Sequence, residues 1–155
     1  MRAYSADLYR FAYWLCRHRH LAEDLVQESC LRAWKSWGDL RDLAQTKAWL
    51  MTIVRNEYAR SMSRKRSETS LEDVDEGQLP SMPSCEGGVE TAQVVAMLPL
   101  TYREPLLLQV IGGFSCAEIA GMLGTSEGAV MTRLTRARQA LRQQYTESMK
   151  RRSAK

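Results

Sequence analysis

The sequence predicts an all-α protein made of two small helical domains on a flexible acidic linker, the second domain containing a helix-turn-helix. Three observations predict it. Apolar residues recur at intervals of three and four through most of the 155 residues, and nowhere do they alternate as in a strand. Basic residues outnumber acidic ones by 13 to 7 over residues 1–66 and by 9 to 4 over 91–155, whereas 67–90 hold seven acids and no base. Residues 113–143 contain two capped helical patterns separated by a glycine.

The first helix is expected over Asp7 to Arg17, where Leu8, Phe11, Ala12 and Leu15 fall on one stripe and the basic run R-H-R-H at 17–20 follows. A second runs from Leu21 to Trp37, with Ala22, Val26, Ser29, Ala33 and Trp37 inward and Leu25 and Cys30 at the edges. On its other face Asp24, Gln27, Glu28 and Lys35 surround Leu31. One exposed leucine is ordinary, but a leucine ringed by acids and an amide has the make-up of a contact patch. Residues 38–45 form a loop carrying Asp39 and Asp42, and Thr46 can then cap a third helix to about Met62. Trp49, Leu50, Ile53 and Val54 face inward there, Thr52, Arg55 and Ala59 outward, and Lys47, Asn56 and Arg60 lie at the margins. Trp49 could serve as a stacking platform, but its place beside Ile53 assigns it to the core. The run S-R-K-R-S at 63–67 closes the first lobe with cations at a helix C-terminus, which suits the helix dipole.

From Glu68 to about Gly88 the chain holds Gly77, Pro80, Pro83, Gly87 and Gly88, several serines and little apolar periodicity. Such a segment buries too little surface to offset the entropy of ordering, so a flexible linker is expected. The domains are therefore drawn as 1–66 and 89–155, with 67–88 between them. The second begins with a helix from near Val89 to Met97 and another from about Tyr102 to Ile111, divided by the breaker Leu98-Pro99, and Gly112-Gly113 divides the latter from the helix-turn-helix. Ser115 and Glu118 are spaced as a capping box, so a short helix starts at Cys116, buries Ile119, Ala120 and Leu123, and closes at Gly124. Thr125 or Ser126 caps the final helix, whose Val130, Leu134, Ala137 and Leu141 face inward. Thr132, Thr135, Arg136 and Gln139 point outward, flanked by Met131 and Arg133. Short polar groups and guanidiniums on the first turns of a helix braced by a shorter one suit a DNA major groove. A helical hairpin with a solvated basic face has the same pattern. The tail K-R-R-S-A-K is expected to fray.

Composition narrows the class of function. No run of about 18 apolar residues is present, so membrane insertion is not expected. The start of the chain lacks the order of a secretory leader, which implies a cytoplasmic location. Cysteines 16, 30, 85 and 116 form no C-x-x-C pair and read as reduced, small core residues. Cys16, His18, His20 and Cys30 are candidate soft ligands, but their spacing fits no closed tetrahedral site, and no cofactor is expected. There is no carboxylate pair, nucleophile elbow or phosphate loop, so the chain reads as a binding protein and not an enzyme.

Four segments, D-L-V-Q-E-S-C-L-R-A-W at 24–34, W-L-M-T-I-V-R-N at 49–56, Leu98-Pro99 with Arg103-Glu104, and the motif at 113–138, together resemble an extracytoplasmic-function sigma factor. The resemblance covers nearly the whole chain. It implies that Asp24, Gln27, Glu28 and Leu31 grip the β′ clamp helices of core RNA polymerase. It implies that the loop from Asp39 to Gln45, with Asp39, Leu40 and Asp42, catches a base flipped from the non-template strand, while Arg55, Asn56 and Arg60 contact minus-ten DNA. In the second domain Ser126, Met131, Thr132, Arg133, Thr135 and Arg136 match contacts to the minus-thirty-five element. The β flap and an anti-sigma factor are further partners that the resemblance implies, and the acidic linker would thread through the polymerase. Two departures stand out: the first helix begins only a few residues after Met1, and Cys30 occupies a position where an aromatic is frequent. The competing expectation is a helix-turn-helix regulator acting alone as a dimer.

Overall fold

The computed structural model describes residues 2–68 and 88–154, and the expected flexible linker and Cys85 lie outside them. Among the described residues there are seven α-helices and no strand. The chain divides into two compact units, residues 1–80 and 81–155.

In the first unit α1 (Ser5–Cys16), α2 (Arg19–Lys35) and α3 (Thr46–Glu68) pack on one another. The stripe on α1 is buried as its spacing dictates, with Leu8, Phe11, Ala12 and Leu15 withdrawn from water. Transfer of each large side chain contributes about 1.5–3 kcal/mol before ordering costs are counted. The α1 helix stops at Arg17, a non-glycine residue with φ of 58°, whose N–H bonds the Tyr13 carbonyl at 2.6 Å. His18 then starts α2, its ring nitrogen accepting from the Leu21 N–H at 3.2 Å.

The buried face of α2 is Ala22, Leu25, Ser29 and Ala33, a rotation from the expected one. Leu25 is core instead of edge, Val26 is half-buried, and Trp37 is 43% exposed beyond the helix end. Ser29 tolerates full burial because its hydroxyl donates to the Leu25 carbonyl at 2.6 Å.

The expected loop before α3 contains two 3-10 turns, Trp37–Asp39 and Leu43–Gln45. Asp42 is the cap here, its carboxylate accepting from the Ala44 N–H at 3.0 Å, while the Thr46 hydroxyl donates back to the Leu43 carbonyl. The 3-10 turn runs straight into α3, so the capping position precedes it and Thr46 is already helical. The inward residues of α3 are Leu50, Met51, Val54, Glu57 and Tyr58, whereas Trp49 and Ile53 are only half-buried. The helix continues through the S-R-K-R-S run to Glu68 instead of ending near Met62. Lys47 joins it to α1 through Asp7 at 3.0 Å.

The second unit comprises α4 (Gly88–Met97), α5 (Leu100–Val110), α6 (Cys116–Leu123) and α7 (Glu127–Ser153), with α4, α5 and α6 all packing on α7. Residues 104–108 of α5 are consecutively buried, as only a helix surrounded on several sides can be. Arg103 reaches back to the Ala96 carbonyl at 3.2 Å and ties α5 to the end of α4. At the α5–α6 junction Gly112 and Gly113 act differently: a Cβ on Gly112 would lie 2.3 Å from the Phe114 ring, whereas Gly113 takes a φ of 70°. The α7 helix holds its form through the expected fraying tail as far as Ser153. Among the described residues Cys16, Cys30 and Cys116 form no disulfide and are half-buried rather than core.

Candidate protein- and nucleic-acid-binding surfaces

Once Ala22, Leu25, Ser29 and Ala33 are turned inward, the helical period places Asp24, Gln27, Glu28 and Leu31 on the solvent side of α2. All four are exposed, Leu31 by 57%. Trp34 lies one turn further along the same face and is 77% exposed, which extends the apolar centre of the patch. Sequence reasoning gave Trp34 no role. Its signal was the i, i+3 spacing from Leu31.

Between α2 and α3, next to this patch, is a cleft of about 310 Å3. One wall is a stripe of α3, Trp49, Ile53, Asn56 and Arg60, spaced i, i+4, i+7 and i+11. Arg32, Lys35 and Asp39 close the opposite side. Trp37 meets Trp49 edge to face with ring centroids 6.1 Å apart, which braces the aromatic wall from outside the cleft's lining. Trp49 is therefore a cleft wall and not the core residue its apolar neighbour suggested. Of the expected minus-ten residues, Asp39, Asn56 and Arg60 line this cleft. Leu40, Asp42 and Arg55 are not among its lining: Asp42 is occupied as a cap, and Arg55 sits beside Asn56 with Nη1 3.4 Å from its Oδ1. Glu57, unmentioned in the sequence reading, is buried at the cleft's base and holds Arg32 of α2 and Arg60 of α3.

The cleft joins stacking surface, amide and guanidinium groups, which is the chemistry that accepts an unstacked base and its backbone. On α2 the acids and Leu31 instead suit a protein with basic and apolar groups.

In the second unit each helix of the turn motif is set by its own cap. The Ser115 hydroxyl accepts from the Glu118 N–H at 3.2 Å, and the Glu118 carboxylate accepts from the Ser115 N–H at 3.3 Å. Gly124 closes α6 in the left-handed region at φ 65°, and Ser126 caps α7 by accepting from the Ala129 N–H at 3.1 Å. Val130, Leu134 and Ala137 are buried and Leu141 half-buried. Met131, Thr132, Thr135 and Arg136 are exposed on the outer side, and Arg133 is half-buried nearer the core. The Thr132 and Thr135 hydroxyls donate to carbonyls one turn earlier, Gly128 at 3.0 Å and Met131 at 2.9 Å. Their oxygens remain acceptors on an exposed face. Arg138 is a different kind of arginine, since its guanidinium donates to the Gln109 side chain and links α7 to α5.

Among the described residues no three His, Cys, Asp or Glu side chains converge as metal ligands, and no helix is long and apolar enough to cross a membrane.

One helical unit with an acid-rimmed leucine patch and an aromatic-walled cleft, followed by a helix-turn-helix unit, defines a bipartite DNA-binding transcription protein. Residues 1–68 match the family described as Sigma-70 region 2, and residues 89–141 match Sigma-70, region 4. The chain is 30% identical to the ECF RNA polymerase sigma factor SigM of Bacillus subtilis, over 94% of this chain and 93% of that protein. It is 32% identical to SigL of Mycobacterium tuberculosis over 90% and 82%. The solved structure of the sigma factor RpoE from Bartonella quintana, in complex with the anti-sigma factor NepR, matches at a TM-score of 0.83 and 29% identity, over 94% and 93% of the two chains. The chain belongs to the ECF family of RNA polymerase sigma factors. It directs promoter-specific transcription initiation with RNA polymerase, and action as a lone dimeric regulator is not favoured. Its family consists of regulators of the polymerase and not of enzymes.

Proposed function

We propose a division of labour in which residues 1–66 bind core polymerase and the minus-ten element, residues 89–155 read the minus-thirty-five element, and 67–88 tether them. Asp24, Gln27, Glu28 and Leu31 dock on the β′ clamp helices. Asn56 and Arg60, with Asp39 in the loop that carries Leu40 and Asp42, take the melted non-template strand, and Arg55 adds an electrostatic contact beside them. Ser126, Met131, Thr132, Arg133, Thr135 and Arg136 face the upstream duplex, while the second unit also contacts the β flap. The observation that carries this reading is that one helix pair holds both the exposed leucine patch of α2 and, next to it, the cleft walled by Trp49, with Lys35 between them. Protein and melted DNA can then be held at once by two rigid elements. Pulling a base from the stack costs a few kcal/mol, which the stacking wall and guanidinium contacts would offset.

The complex of the Bartonella quintana relative with an anti-sigma factor supports a partner of that kind for this chain also, acting in the cytoplasm. The decisive experiment is run-off transcription on a promoter library with core polymerase, with and without the protein. Selective transcripts that need both components are expected. Retention of the same DNA by the protein alone, with no effect on core enzyme, would favour the lone regulator.

A further inference from the structure

Glu57 is an acid on the inward face of α3, beside Val54 and Tyr58, and only 3% of it is exposed. A carboxylate withdrawn from water needs partners that remain charged. It has two: Arg32 from α2, and Arg60 one turn along α3 with Nη1 3.0 Å from Oε1. The arginine side chains are themselves 47% and 53% exposed, so each guanidinium is held at one end and presented to the cleft at the other. Glu57 also borders a second cleft, of about 300 Å3, whose wall includes Asp24 and Glu28 of the proposed polymerase face.

We infer that Glu57 is a positioning residue for promoter opening: it fixes the direction of Arg60 and Arg32 so that they meet the melted strand without touching DNA itself. The inference rests on the reading of the cleft as the minus-ten site. It has a consequence that bulk stability does not share. An acid beside two arginines lowers the general attraction of the surface for polyanions while it raises the order of the two cations. Removing its charge should therefore weaken selective opening and leave unselective attraction the same or stronger.

The test uses holoenzyme carrying Glu57→Gln, a promoter recovered from the library selection, and a non-promoter duplex of equal length. Open complexes on the promoter should fall about ten- to a hundredfold, as for loss of one charge-assisted hydrogen bond, while core affinity is unchanged and non-promoter binding is equal or higher. Glu57→Leu guards against a folding failure, because the leucine fills the buried volume while Arg32 and Arg60, each about half exposed, can be solvated by water once the acid is gone. It should lose promoter opening without losing thermal stability. In an Arg60→Ala background, Glu57→Gln should have little further effect, since the two act through one contact. Parallel loss of promoter and non-promoter binding, full additivity with Arg60→Ala, or normal opening by both Glu57 variants would overturn the inference. Normal opening by Arg60→Ala alone would instead overturn the cleft reading and the inference with it.

Discussion

The two surfaces of the first unit differ most clearly at single residues. Leu31 is exposed and makes no core contribution, so Leu31→Glu should leave the helical circular-dichroism signal unchanged while core polymerase affinity drops tenfold or more, roughly the loss expected of an apolar anchor. Normal affinity in a core-binding titration would remove the patch from the interface. Two glycines make an opposed pair. Gly112→Ala forces a Cβ against the Phe114 ring and the Leu108 carbonyl at 2.6 Å, and should cost about 1–3 kcal/mol in chemical unfolding. Gly121→Ala meets nothing within 4 Å in the interior of α6 and should stabilise by about 0.5–1 kcal/mol. Leu31 was legible in the sequence because Gln27, Glu28 and Lys35, three or four residues away, are polar. Glu57 was not, because a charged residue is assigned to solvent by default and its two arginine partners come from places 25 residues before and three after it.

Helix starts and helix phases carried unequal information. The capping box of α6 was readable in full, since both partners are three residues apart and no tertiary contact is needed to form it. Ser115→Ala should therefore lower the stability of the second unit by about 1 kcal/mol, measured by urea unfolding. The faces of α2 and α3 were less readable. Apolar residues flank the true buried stripe of each, and Trp49 and Ile53 drew the expected core of α3 toward what is a cleft wall. That helix packs on both α1 and α2, so its buried arc is broad and reaches Met51 and Tyr58, which an amphipathic pattern alone does not favour. On α7 the outer arginines allow a quantitative test. Arg136→Ala should reduce the slope of log affinity against log salt by about one if the contact is to phosphate, or relax the upstream sequence preference if it is to a base. The same assay on Arg133→Ala distinguishes the half-buried arginine, and no change in either variant would remove α7 from the recognition reading.

At the scale of the whole molecule, charge divides more sharply than apolar pattern, with +6, −7 and +5 over residues 1–66, 67–90 and 91–155. The acidic middle carries the sign of nucleic acid, and we propose that it occupies the template or transcript path and is displaced as RNA grows. Deleting residues 68–86 should alter the ratio of abortive to full-length products in initial transcription, and an unchanged ratio would count against that path. The two-lobe organisation was legible from composition alone, whereas the junction residues were not, because α3 runs on through a basic stretch that sequence reasoning treated as its end. One feature of the second unit bears on time as well as on structure. Ser115, Glu118, Gly124 and Ser126 settle both helix starts and the turn between them within the protein itself, so duplex DNA meets a surface with little left to order. Arrival should then be set by diffusion and charge, nearly alike for every duplex, and sequence preference should be written in the dwell time. Holoenzymes would reach good and poor upstream elements equally often and differ in how long they stay.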